Sequence, residues 1–335
     1  MVYVSCLIPL YRSARFFDII CGNIDEHLVP GMEILISDRH GLDDTAPRLR
    51  ERYAGNPQVH VLTTFDNGDW VTNICALISS SKGRYFRILP HDDSSTCAST
   101  LRLAKALDRH KDAVLAYGVV RAIDLEGRRL PERDQLNESE SPTATDWDLD
   151  DALSLFWRGR FNGGFKGLVR ADVVRSRHLL IKKTPTLVAS ERAWLFGLAL
   201  AGRFHFVPEA ELIKRYYDGS TSSAWAYTTG VYADVVNVMA EYCDDLIADP
   251  VARDHAKLSL VKNGNAMTEA VVGRAPLVYY SLNDILPPGT RLVHGGNATP
   301  DGFRKLARRL CLELRLIFVK VMAGAGVSAV FRRLG

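Results

Sequence analysis

The first 120 residues alternate between short apolar runs and helical patterns, and this alternation constrains the fold more than any other feature of the chain. The runs are "YVSCLIPL", "EILISD", "VHVLTT", "YFRILP" and "AVLAYGVV". Between them lie "RFFDIICGNIDEHL", "APRLRERYA", "WVTNICALISSS" and "TLRLAKALDRH". Strands that alternate with helices pair in parallel, because each helical crossover returns the chain across a face of the sheet. The expectation is an α/β protein with a mostly parallel sheet flanked by helices. In such sheets ligands bind at the carboxyl ends of the strands.

Three runs end in polar or special residues: "CLIPLYR" at Pro9 and Tyr11, "EILISD" at Asp38, and "YFRILPHDD" at Asp92 and Asp93. If the strands are parallel neighbours, these ends share one edge. Adjacent carboxylates repel, so Asp92 and Asp93 ask for a cation, a ligand or solvent. Hard oxygen ligands suit magnesium or manganese, which use one or two carboxylates and complete their shell with water and phosphate oxygens. The structural alternative is that Asp92, Asp93 and the following serines cap the next helix.

Composition narrows the classes. With 335 residues, 47% hydrophobic and 24% charged, the chain can bury one large core or two smaller ones. A net charge of +3, without a stripe of basic and aromatic residues, argues against nucleic acid. The six cysteines form no CxxC pair and read as reduced core residues of a cytoplasmic protein. The start, "MVYVSCLIPLYRS", lacks the basic region and cleavage site of a signal peptide and reads as the first strand. Residues 131–148 carry six carboxylates against one arginine and read as a loop before a helical "LDDALSLFWRGR".

The segments "VSCLIPLYRSARFFDIICGNI", "EILISDRHGLDDT", the helix holding Asn73, "KGRYFRILPHDD" and "SERAWLFGLALAGRFHFVPEAELIKRYYDGSTS" resemble, in order and spacing, the family 2 glycosyltransferases. The match covers about residues 3–223. It implies the Rossmann-like GT-A fold and inverting transfer of a sugar from a nucleotide diphosphate donor, such as a UDP-sugar, with a divalent cation (Mn or Mg). Carried onto this sequence, Pro9, Leu10 and Tyr11 would form the turn beside the base, and Asp38 would hydrogen-bond the base. His91, Asp92 and Asp93 would form the acidic motif, with Asp92 near the ribose and Asp93 on the metal. Glu191 falls at the position of the general base, and Arg215 or Lys214 would meet the diphosphate. The sequence departs from the family at Arg39, Pro90 and Tyr217, where relatives carry an acid, an acid and a metal-binding histidine. Without the resemblance, Glu191 reads as a first-turn acid favoured by the helix dipole, and Lys214 and Arg215 as a solvated strand end. Gly163, Gly164 and Gly167 in "FNGGFKGLVR" either let backbone approach the donor sugar or mark a bulge. His205, alternating with Phe204 and Phe206, reads as structural.

The expected domains are a catalytic GT-A domain over 1–223 and a helical region over 224–335. Within the latter, 303–335 is basic and amphipathic, with eight Lys or Arg against Glu313. It reads either as an interfacial helix on the inner face of the plasma membrane or as a helix packed on the protein. The acceptor expected is a hydroxyl on a glycan or lipid-linked carrier in cell-surface glycan or glycolipid synthesis. Two other readings stand: a sugar nucleotidyltransferase, which should carry a glycine-rich basic loop absent from "PLYRSARFF", and a non-catalytic nucleotide-sugar-binding protein.

Overall fold

The computed structural model of the chain describes residues 2–64, 66–135, 162–220 and, with short gaps, 223–260. All of them belong to one compact unit, Met1–Pro288. Among the described residues, seven strands form a single sheet: β1 (Val4–Leu10), β2 (Met32–Asp38), β3 (Val59–Thr63), β4 (Tyr85–Ile88), β5 (Ala113–Ile123), β6 (Leu168–Arg170) and β7 (Arg203–Arg215). Their order is β3-β2-β1-β4-β6-β5-β7. Strands β3, β2, β1 and β4 run parallel, β5 and β7 run parallel, and β6 is antiparallel to both its neighbours. The expected class, a mostly parallel sheet flanked by helices, is what the chain adopts.

The helices are α1 (Phe17–His27), α2 (Thr45–Arg52), α3 (Trp70–Ser80), α4 (Cys97–Arg109), α5 (Ala171–Ser176), α6 (Ser190–Ala201) and α7 (Thr229–Leu246). Strand β2 is buried along its whole length, as befits a parallel strand covered on both faces. Successive side chains of β1 alternate between two apolar clusters. Leu7 joins Leu35, Leu77, Phe86 and Trp194 on one face; Cys6 and Ile8 join Ile20, Ile34, Leu103 and Leu107 on the other. Polar caps start α3 and α4: the Asp69 carboxylate accepts from the Thr72 amide at 2.9 Å, and the Thr96 hydroxyl from the Ser99 amide at 3.1 Å.

Where β5 meets β7 the register slips between Tyr117 and Val119. A Cβ on Gly118 would sit 1.9 Å from the Ala210 carbonyl oxygen, so only glycine fits. The segment "FNGGFKGLVR" is shorter as a strand than its sequence suggests: Asn162–Lys166 forms a 3-10 turn and only Leu168–Arg170 pairs. Its glycines face β5, a Cβ on Gly167 falling 2.5 Å from the Ala116 carbonyl oxygen. What these glycines are seen to permit is close packing of the turn on β5.

Helix α7 joins the same apolar cluster as Trp194, with Tyr242 packed over Gly197 of α6. The rest of the acidic stretch beyond Gln135, the "LDDALSLFWRGR" segment and residues 303–335 lie outside the described residues. Among those described, no helix is long and apolar enough to cross a membrane.

Candidate active site

The parallel pairing places Leu10 opposite Asp38 and Leu7 opposite Ile88, so the ends of β1, β2 and β4 share one edge. Asn73 of α3 ties two of them, its Nδ2 donating to Ser37 O at 3.3 Å and Leu10 O at 3.5 Å. Asp38 is nearly buried, and its Oδ1 accepts from the amides of His40 and Gly41, both at 3.0 Å. The Tyr11 ring is 43% exposed and stands edge-on to His40 at 5.2 Å. Arg39, at the place of a second acid, is paired with Asp66. His91 Nδ1 donates to Pro9 O at 3.2 Å, fastening the acidic loop to the end of β1.

The two adjacent aspartates face different surroundings. Asp93 is 2% exposed: its Oδ2 pairs with the Lys166 ammonium and its Oδ1 accepts from the Arg215 amide at 3.0 Å. Burial pushes its carboxyl up while Lys166 pulls it back. Asp92 is half-buried, and its Oδ2 accepts from the Tyr217 hydroxyl at 2.9 Å. Arg15 lies 4.3 Å from the centre of the Tyr217 ring, bringing a second cation to this edge. The Arg215 guanidinium donates to the carbonyls of Asp124 and Leu125 at 3.0 Å and, from Nε, to the Asp92 carbonyl at 3.4 Å, so it ties the end of β7 to the turn after β5 and to the acidic loop.

A divalent cation was expected here, and the donor set can be tested against one. Each oxygen of Asp93 accepts one bond, and one oxygen of Asp92 accepts from Tyr217. Among the described residues, no group of three or more His, Cys, Asp or Glu is arranged to hold a metal. One carboxylate of this acid pair would fit an ion that takes its other ligands from phosphate and water.

Glu191 opens α6. Its Oε2 is buried with no hydrogen-bond partner among the described residues, a costly state for a carboxyl. Burial pushes its pKa up to about 7, against the opposing charges of Arg192, Lys214 and Lys166. Lys166, whose charge reaches Glu191, is ion-paired with Asp93 of the acidic loop. The turn leading into Glu191 is strained: Leu187 and Ala189, neither of them glycine, have φ of 64° and 56°. Hydrogen bonds over-determine it, the Thr184 amide donating to Ser190 Oγ at 3.0 Å and the Thr184 hydroxyl to Val188 O at 2.9 Å.

The sequence singled out the acids and missed much of what holds them: Lys166, Asn23, Arg87 and the Tyr217 hydroxyl. Lys166 stood in a segment read only for its glycines.

No protein-family model matches this chain, and neither does any curated protein. Solved structures do. The 1–349 fragment of S. aureus TarS in complex with UDP-GlcNAc aligns with 81% of this chain and 73% of its own, with a TM-score of 0.60 at 14% identity. The same fragment in complex with UDP gives a TM-score of 0.58 at 12% identity, covering 84% of this chain and 80% of that one. At such identities the likeness is one of fold, and the chain has the GT-A architecture that its strand order and flanking helices describe.

Proposed function

We propose that the protein is an inverting glycosyltransferase that moves a sugar from a nucleotide diphosphate donor to a hydroxyl acceptor with a divalent cation. The observation that carries this reading is Glu191, whose Oε2 is enclosed without a hydrogen-bond partner and lies in the field of Lys166, the cation that holds Asp93 in the acid pair at the carboxyl edge of a GT-A sheet. That TarS is crystallised with UDP-GlcNAc and with UDP supports a nucleotide-sugar donor.

In this reading Tyr11 and Asp38 flank the base of the donor. The carboxylate of Asp92, rather than that of Asp93, faces the ion and the diphosphate, because Asp93 is committed to Lys166 and the Arg215 amide. When bound, the ion supplies charge neutralisation for the departing diphosphate. Glu191 removes the proton of the acceptor hydroxyl as that oxygen bonds to the anomeric carbon from the face opposite the diphosphate. The bond from the anomeric carbon to the phosphate oxygen breaks, and its electron pair leaves with the nucleoside diphosphate. A base with a pKa near 7 is half ionised at neutral pH, close to the optimum for this work. The phosphate role expected for the Arg215 side chain passes to Lys214 and Arg15, since the Arg215 guanidinium is spent on backbone carbonyls.

The test is slow hydrolysis across a panel of nucleotide sugars, together with a thermal-shift screen of nucleoside diphosphates with and without manganese. Release of nucleoside diphosphate that depends on Glu191 is expected. Binding without any turnover would favour the non-catalytic binding protein instead.

A further inference from the structure

Arg87 lies on β4, ahead of the acidic loop, and its side chain is completely buried. Burying a guanidinium costs several kcal/mol unless its surroundings repay it, and this one does so without a direct carboxylate bond. Its Nε donates to the Lys166 carbonyl at 3.0 Å, and its Nη1 donates to Ser95 Oγ at 2.6 Å and Thr100 Oγ1 at 2.8 Å. All three acceptors are uncharged. Burial lowers its pKa to about 10, so it stays charged at neutral pH, with Asp93 among the anions whose field it feels.

Each acceptor leads back to the acidic loop. Lys166, held by its carbonyl, turns its ammonium onto the Asp93 carboxylate. The Ser95 amide donates to Asn23 Oδ1 at 3.2 Å, and Asn23 Nδ2 donates to the Asp93 carbonyl at 2.7 Å. His27 closes the ring: its Nδ1 donates to the Asn23 carbonyl at 2.8 Å, leaving Nε2 to accept from the Thr100 hydroxyl at 2.9 Å. Burial lowers the His27 pKa, consistent with this neutral form. A cavity of about 10 Å³, lined in part by Arg87, Gly118, Gly163 and Lys166, has room for about one water and none for the guanidinium to swing.

We propose that Arg87 is a positioning residue: it fixes the Asp92–Asp93 loop from beneath, so that Asp93 stays on Lys166 and Asp92 is presented to the diphosphate and its ion. The inference rests on the glycosyltransferase reading and adds the residue on which its donor site is built.

The experiment compares the full chain with Arg87→Met, Arg87→Lys and Thr100→Val. The last keeps the charge and shape but removes one acceptor. Binding of UDP is measured by calorimetry with and without manganese, and amide hydrogen exchange is followed over residues 89–97. Arg87→Met should weaken manganese-dependent UDP binding about tenfold or more and speed exchange at the Asp93 and Ser95 amides, while β2 and α6 keep their protection. Arg87→Lys should recover part of the affinity, and Thr100→Val, which leaves the guanidinium its other two acceptors, should lose about threefold. Wild-type UDP affinity in Arg87→Met, or loop amides that exchange at the wild-type rate, would overturn the proposal. So would faster exchange spread evenly over the sheet, since that marks a residue serving only stability. If Arg87→Met fails to fold, wild-type behaviour of both other variants overturns it equally. If the wild-type protein binds no nucleoside diphosphate, the functional reading fails, and loop exchange in the variants still decides the role of Arg87.

Discussion

Replacing Glu191 by Gln should make the protein more stable and less active at once, and the structure sets the size of both effects. In the fold the carboxyl titrates near 7 rather than at its ordinary 4.5, because burial penalises the charged form. A folded-state pKa above the unfolded one means that the folded state holds the proton more tightly between those two values. Stability contributed by this group is therefore present below pH 4.5 and is lost as pH rises through about 7. A gap of about 2.5 pH units at about 1.36 kcal/mol each gives roughly 3 kcal/mol as the upper bound, reduced where solvent reaches the side chain. Glutamine keeps the shape and never ionises. Denaturant unfolding at pH 8 should show Glu191→Gln more stable by about 2–3 kcal/mol, and the two proteins should converge by pH 4.5. Nucleotide-sugar turnover should fall by about a hundredfold or more, the worth of a general base. In the wild type the same titration should appear as an acid limb, with kcat/KM near one-tenth of its plateau at pH 6. A variant with unchanged stability at pH 8 and full turnover would refute the argument, since a carboxyl that costs nothing when ionised is neither buried nor poised.

Three further outcomes follow from the geometry. Asp92→Asn should abolish manganese-dependent UDP binding with little change in melting temperature, whereas Asp93→Asn should cost about 3–5 kcal/mol in denaturant unfolding because Lys166 is left buried without its anion; the reverse pattern would return the ion to Asp93. Gly118→Ala should be destabilising by several kcal/mol on the same assay, since its Cβ would lie 1.9 Å from the Ala210 carbonyl oxygen and must push β5 from β7. Burial lowers the His27 pKa below its ordinary 6.5, so the unfolded chain binds the proton more readily and stability should fall as pH drops below 6.5; His27→Gln should flatten that part of the stability profile.

Much of the fold was legible because the signals that specify it are local. Continuous apolar runs such as those of β1 and β2 mark strands covered on both faces, and helical spacing between them leaves few ways to connect the sheet. The exception is instructive. "FNGGFKGLVR" carries an apolar, glycine-rich pattern that reads as a strand, yet only Leu168–Arg170 pairs, because the glycines let the preceding turn press on β5 instead. What a glycine permits is set by the neighbour that approaches it, and Ala116 and Val120 stand more than 40 residues away in the chain.

The site divides along the same line. Strand ends told where carboxylates would gather, since parallel pairing alone aligns Leu10 with Asp38 and brings β4 alongside. Which of two adjacent aspartates faces the ligand could not be read that way. The order of residues in the motif suggested Asp93 for the ion. The structure commits Asp93 through contacts that span the chain: the Lys166 ammonium is 73 positions away, and the Arg215 amide 122. Our proposal that Asp92 rather than Asp93 meets the ion rests on those two contacts, with the Tyr217 hydroxyl donating to one Asp92 oxygen. The same logic explains why Arg87 is silent in the sequence. An arginine within an apolar strand looks like an interruption until Lys166, Ser95 and Thr100 converge on it. Each of them is unremarkable alone, and the charge they surround acquires a purpose only because the acidic loop lies above it.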